Sequence, residues 1–430
     1  MVIRLFRGFS EGRTKRMSIK QEISEYLRSG ESHSRGLGLE IEHFVVNAAG
    51  DQISFDEVSS LIYEVGTHIN AKIHYMDGYP VGYIADDHSV SLEPSCQFEI
   101  SINPYEDLAD IKRVYDTFYS NWQVLFGARG YRIITFGNLP KVEQGIITPD
   151  DIQLSPKKRY QYMDRYFQDS GKYGRYMMRA SGSAQVSVDY RSEEDMVRKL
   201  RILSKISPLL MILMENKTCE YSTLPGIPDK PHLLRIQEWD DLDPGRTGFV
   251  PHSLEEGFGY DKMAEVIYNT PLILLTDEGE TSYVGSKSAK DLIEEGTIDE
   301  SALAPDRRTR LIEHFISMGF FHFRVKKYIE IRVADAVPIS KALGYVALIK
   351  GLIYSDENLD VLDRALSGIK TSNEIQDAVI AIEKDGLEAE IYEDRTAYEW
   401  AELLISLADK ALSDEDKEYL NNVRVVRSHV

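Results

Sequence analysis

The chain has 430 residues, 43% hydrophobic content and a formal charge of -20, enough for one large domain or two to three ordinary ones around a sizeable core. So acidic a protein lacks the basic surface that nucleic acid or an anionic membrane requires, and its longest apolar run, residues 206–214, falls far short of the roughly 20 residues that span a bilayer. Two cysteines, Cys96 and Cys219, are too few for a disulfide framework and point to a reducing, cytoplasmic compartment.

Residues 1–17 carry Arg4, Arg7, Arg13 and Arg16 against Glu11 and are expected to form a disordered leader. Helical spacing of Ile19, Ile23 and Leu27 predicts a helix from Ser18 to Arg28, stopped at Ser29-Gly30. Leu37 to Asn47 follows as a strand whose period of two puts Glu40 and Glu42 on one face and Leu39, Ile41 and His43 on the other. The turn Asn47 to Asp51 suggests a hairpin into Gln52–Phe55, and an amphipathic helix is expected over Phe55–His68. Glycines, prolines and aspartates between Tyr75 and Asp87 read as loop, and Val90–Ser101 as one alternating strand.

Further on, the pattern predicts a long helix over Leu108–Phe126, a strand over Tyr131–Phe136 and a loop from Pro140 to Pro156. A tyrosine-rich charged stretch, Tyr160–Tyr176, precedes a strand over Ala184–Tyr190. Ser192-Glu193-Glu194-Asp195 opens a helix to about Met214, with acids at its positive end. Thr223 to Pro251 reads as loop around Arg235, Trp239, Asp243 and Arg246, followed by a helix near Asp261–Tyr268, a strand near Leu272–Leu275, a strand-like Phe320–Val333 and a helical remainder from Ser340 to Asn421. The simplest organisation is a catalytic unit over residues 18–354 with a helical C-terminal part, 355–430, packed on the same domain.

Common chemical signatures are missing. Gly285-Ser286-Lys287-Ser288 has the tail of a phosphate loop, but Ser286 and Thr281 stand where that motif needs glycines. HExxH, CxxC and GxSxG are absent, which removes support for a zinc protease, a structural zinc site and an α/β-hydrolase. What remains is carboxylates on strands: Glu40 with Glu42, Glu93 and Glu99 beside Gln97, and Glu330 alternating with Arg332. One such strand is ordinarily a solvated edge. Three of them, each with apolar residues on the opposite face, could line one cavity and bind magnesium, which favours hard oxygen ligands and shares phosphate oxygens with the protein. Arg179, Arg235, Arg246 and Arg332 could grip anions there, since the planar guanidinium meets carboxylates and phosphates bidentately.

Leu37-Gly38-Leu39-Glu40-Ile41-Glu42, Leu92-Glu93-Pro94 with Gln97-Phe98-Glu99-Ile100-Ser101, Gln185 to Tyr190, Arg235 with Trp239 and Asp243, Arg246-Thr247-Gly248 and Tyr328 to Asp335 together resemble the glutamate-cysteine ligases of the plant and proteobacterial branch. The motifs keep the family's order over residues 35–360. The resemblance implies an α+β, glutamine-synthetase-like fold: a curved antiparallel sheet forming a funnel, helices on its outer face. It implies ATP and Mg2+ as cofactors, with Glu40, Glu42, Glu99 and Glu330 as magnesium ligands and Glu93 a further one. Gln185 matches a metal- or nucleotide-contacting position, Arg246 a nucleotide-binding one, Arg332 one at the transferred phosphoryl group, and Arg179 and Arg235 arginines near glutamate or phosphate.

The implied partners are small molecules: glutamate, ATP and cysteine or another amine. Self-association is left open. Some positions depart from the family pattern: Ser95-Cys96 stands where two glycines are usual, and Ala180 to Ala184 and Gln237-Glu238 also differ. A carboxylate-amine ligase using a different amine is therefore the alternative. Glu42→Gln and Glu330→Gln are both expected to stop turnover and leave the fold intact.

Overall fold

The computed structural model describes residues 17–425, so the expected leader, apart from Met17, lies outside the described residues. The fold is α+β. Nine antiparallel strands form the main sheet: β1 (Leu37–Asn47), β2 (Lys72–Met76), β3 (Tyr79–Ile84), β4 (His88–Leu92), β5 (Phe98–Tyr105), β6 (Tyr131–Ile134), β7 (Ser183–Val188), β10 (Phe323–Val325) and β11 (Ile329–Asp335). Their order is β10-β11-β7-β1-β5-β4-β3-β2, with β6 beside the end of β1. A separate hairpin joins β8 (Pro271–Asp277) to β9 (Glu280–Ser288), and the phosphate-loop lookalike lies on β9.

β1 is the centre of this sheet because it is long enough to pair three ways. Glu40 to His43 meet Ser101 to Phe98, Leu37 to Ile41 meet Val188 to Ala184, and Phe44 to Asn47 meet Ile134 to Tyr131. Its alternation separates two faces. Leu39 and Ile41 are fully buried toward the helices that cover the sheet. On that side the helix Leu108–Gly127 lays Phe118 and Trp122 on Phe98 of β5, with ring centroids 5.6 and 4.6 Å away. His43 is held there too, its Nδ1–H donating to the Phe98 carbonyl and its Nε2 accepting from the Tyr115 hydroxyl, each at 2.9 Å. On the opposite face Glu40 and Glu42 give way to Phe44 and Val46, which pack with Leu139, Val142, Ile152 and Ala180 in a small second core.

The helix Ile339–Ile353 packs behind β1 and is buried almost throughout. Gly351 lets the helix Ala397–Ala411 approach so closely that a Cβ there would stand 2.7 Å from the Ala408 Cα. Helices Asp356–Ala365 and Ser372–Asp385 pack on the long helix Glu193–Leu213, whose N-cap Ser192 accepts from the Asp195 amide.

The structure departs from the sequence pattern where turns carry strand information. The 75–87 stretch expected as loop is the β2–β3 hairpin, turned at Asp77-Gly78 with φ of 50° and 84°, and Asp-Gly is a favoured two-residue hairpin turn because both positions need positive φ. Val90–Ser101 breaks into β4 and β5 around a turn at Glu93 to Gln97. The hairpin expected into Gln52–Phe55 shrinks to one bridge between Val46 and Gln52. The segment 223–251 contains a helix, Leu234–Asp240, and a further helix, Pro305–Ser317, was not foreseen.

Candidate active site

The carboxylate face of the sheet closes a cavity of about 410 Å³. Glu40 and Glu42 of β1, Glu93 at the end of β4, Glu99 of β5 and Gln185 of β7 line it, together with Arg235, Arg324 and Arg332. Residues from three distant parts of the sequence thus meet because β5, β1 and β7 are neighbours: Glu42 stands opposite Glu99, and Glu40 opposite Gln185.

The acids crowd one another. Withdrawal from water and the neighbouring Glu93 push the Glu42 carboxyl up to about 7, against the pull of Arg235 and two hydrogen bonds from Ser183, donated by its amide and its hydroxyl at 2.9 Å each. Glu99 is held well above the usual carboxylate range by burial and by Glu40, Glu93 and Glu42, against a 2.9 Å bond from the Ser91 hydroxyl. Glu40 is raised by burial and by Glu330. Like charges gathered in low dielectric favour either a proton or a bound cation.

Glu330 behaves differently. It is fully buried beneath the cavity wall and takes Arg324 at 2.7 Å, Lys326 at 2.6 Å and Arg332 at 3.0 Å. Burial would raise its pKa, but these three cations outweigh burial and hold it far below the usual range. Arg332 Nη1 also donates to the Gln185 Oε1 at 2.6 Å, so its guanidinium is fixed from two sides. Arg324 and Lys326, which sequence reasoning missed, follow from register: Arg324 faces Glu330 across the β10–β11 ladder.

Arg235 reaches the cavity from the helix Leu234–Asp240. It is 4% exposed, donates one Nη2 bond to the Arg332 carbonyl at 3.1 Å, and leaves Nε and Nη1 without a partner among the described residues. Arg179 and Arg246, by contrast, do not line the cavity. Arg179 grips Asp164 with Nε at 3.1 Å and Nη2 at 3.0 Å; Arg246 is fully buried against Asp243 at 2.8 Å with its guanidinium 4.9 Å above the Tyr166 ring. Arg179 thus ties the helix Gly174–Ala180 to the helix Lys158–Ser170, whereas Arg246 leaves both Nη groups without a partner among the described residues.

Ser95 and Cys96 also lie off the cavity, in the β4–β5 turn, whereas Pro94 and Gln97 line it. Cys96 has a φ of 64°, the left-handed backbone that suits the glycine usual there. Gln237 and Glu238 are buried away from the cavity, leaving Arg235 and Trp239 to line it from that helix. Lys157 was not foreseen: 3% exposed, it donates to the Leu92 carbonyl and sits 4.8 Å from the Tyr160 ring centroid, while Tyr160 donates to Glu93 at 3.2 Å.

Among the described residues, no three carboxylate, imidazole or thiol groups are drawn together tightly enough to hold an ion by themselves. Mg2+ is usually held through one or two carboxylates together with water and substrate phosphates. Glu40, Glu42, Glu93 and Glu99 have the donor chemistry for it; Glu330, already neutralised three times over, is a counter-ion to arginine and lysine.

A cavity with an acidic wall facing an arginine wall, built on an antiparallel sheet, defines an α+β enzyme for small charged substrates. The chain belongs to glutamate-cysteine ligase family 2, whose model matches residues 36–429. It is 23% identical over 403 residues to glutamate-cysteine ligase B, chloroplastic, of Oryza sativa subsp. japonica, covering 87% of this chain and 79% of that one. It is 25% identical over 401 residues to the chloroplastic glutamate-cysteine ligase of Medicago truncatula, covering 86% and 76%. The crystal structure of the Francisella tularensis glutamate-cysteine ligase in complex with AMP overlays with a TM-score of 0.49 at 12% identity, over 91% of this chain and 81% of that one.

Proposed function

We propose that the protein is an ATP- and magnesium-dependent ligase that joins the γ-carboxylate of glutamate to the amine of cysteine through an acyl phosphate, the first step of a glutathione-type thiol synthesis. The observation that carries this reading is the single cavity in which Glu40, Glu42, Glu93 and Glu99 face Arg235, Arg324 and Arg332. Family membership supports the reaction class, and the two cysteines, one buried and one exposed, accord with a reducing, cytoplasmic setting.

The chemistry needs no enzyme nucleophile. A γ-carboxylate oxygen attacks the terminal phosphorus of ATP and the bond to ADP breaks; the amine then attacks the carbonyl carbon of the resulting acyl phosphate, phosphate leaves, and the nitrogen loses a proton. Such phosphoryl transfer asks mainly for alignment and charge neutralisation. Magnesium held by Glu40, Glu42, Glu99 and Glu93 would neutralise phosphate charge. Arg332, kept in one plane by Gln185 and Glu330, presents its fork to the transferred phosphoryl group. The unpartnered N–H groups of Arg235 await an anionic oxygen, and Ser183 fixes the Glu42 carboxylate.

A purified-protein assay tests this: ADP release and amide formation with glutamate, ATP, magnesium and a panel of amines. Cysteine should be the preferred acceptor. Glutamate-dependent ADP release with another amine preferred would transfer the reading to a ligase of different acceptor, and ATP hydrolysis indifferent to glutamate would sink it.

A further inference from the structure

Beside the central cavity lies a second one of about 500 Å³, lined by Met76, Arg159, Thr276, Asp277, Glu278, Gly279, Arg310 and His314. The two share Met76 and Arg159, so Arg159 stands at their junction. It is also the cavity arginine without a commitment: Arg324 and Arg332 are tied to Glu330 and Arg235 to a carbonyl. Arg159, half-buried, makes no ion pair or side-chain hydrogen bond with any described residue.

That is unusual in a chain of net charge -20, and the nearby acids explain why it persists. Asp277 takes Arg307 at 3.0 and 2.6 Å, Glu278 lies 3.7 Å from the same arginine, and Arg310 holds Asp306 at 2.8 Å. The backbone beneath Arg159 is pinned on both sides. The Lys158 amide donates to Asp77 at 2.8 Å, and Lys157 and Tyr160 are anchored to β4 and Glu93. A half-buried guanidinium on a fixed base, lining two cavities at once and paired with no described residue, is preorganised for a carboxylate that none of the described residues supplies.

We propose that Arg159 is a specificity residue that grips the α-carboxylate of an amino-acid substrate at the mouth of the site. This rests on the ligase reading, in which both donor and acceptor are amino acids; the shared chemistry is an α-carboxylate, and the test separates its two sources. For the donor, kcat/KM is compared between glutamate and 4-aminobutyrate, which keeps the reacting carboxylate and lacks the other. For the acceptor, cysteine is compared with cysteamine.

Arg159→Ala should lower kcat/KM for the carboxylate-bearing member of one pair by about ten- to a hundredfold, the range of one charge-assisted contact, and leave its analogue unchanged. Arg159→Gln should do the same with the wild-type melting temperature. Equal losses on both members of each pair, no loss, or a loss confined to the KM for ATP would overturn the assignment. Calorimetric titration of glutamate, 4-aminobutyrate, cysteine and cysteamine runs alongside. If the wild type shows no glutamate-dependent turnover, the ligase reading falls. The Arg159 assignment then survives only if the wild type binds a carboxylate-bearing member more tightly than its analogue and the variant does not.

Discussion

Glu330→Gln separates a metal ligand from a counter-ion. The substitution keeps the shape of a side chain that is fully buried and removes the charge that Arg324, Lys326 and Arg332 share at 2.6 to 3.0 Å. Leaving buried partners uncompensated costs about 3–5 kcal/mol; with the three cations 14, 24 and 14% exposed, water recovers part of that, and about 3 kcal/mol is expected. Stability is therefore lowered more than in Glu42→Gln, which gives up one of the two hydrogen bonds from Ser183 and the attraction of Arg235 but also relieves the repulsion from Glu93.

Urea denaturation of both variants measures this, and pH sharpens it. The Glu330 carboxyl is depressed in the folded state, so its contribution is complete above the unfolded carboxylate pKa of about 4.5 and is lost as pH falls toward the folded value. The gap between wild type and Glu330→Gln should shrink below about pH 4.5, whereas a packing defect would persist. A variant within about 0.5 kcal/mol of wild type at pH 7, the range of an ordinary surface change, would refute the counter-ion reasoning.

Arg332→Lys should cut kcat by roughly a thousandfold, because an ammonium cannot hold Gln185 and Glu330 and still offer a fork to a phosphoryl group; steady-state kinetics with saturating ATP reads it. Cys96→Gly should fall within about 1 kcal/mol of wild type, since relief of a left-handed backbone offsets the lost thiol contact, while β-branched Cys96→Val should be clearly less stable by urea titration. Burial depresses His43 to about 4, so the unfolded chain takes up a proton that the folded chain refuses, and wild-type stability falls as pH drops from about 6.5 to 4. His43→Gln should lose that part of the slope, on the order of 3 kcal/mol.

The legible parts of this protein were those where period and punctuation agree. β1 and the helix Phe55–His68 have the limits expected, because alternation and helical spacing end at Asn47 and at the Ser54 cap. The β2–β3 hairpin was hidden by its own turn: Asp77-Gly78 reads as loop chemistry until strands are sought on both sides. β10 is three residues long, too short for its alternation to mark Arg324 and Lys326 as partners of Glu330. The destination of an arginine is least legible of all. Arg179 and Arg235 look alike in sequence, yet one pairs with Asp164 off the cavity and the other enters it, a difference decided by tertiary packing alone.

The pairing of β1 has a consequence for synthesis. Glu40 and Glu42 leave the ribosome long before Arg324, Lys326 and Arg332. Until β10 and β11 arrive, β7 presents an open edge and the acidic wall has only Arg235 of its basic wall opposite. A sheet that lacks β10 and β11 is half-built, with crowded acids and an unpaired strand, the state in which edges are most exposed to other chains.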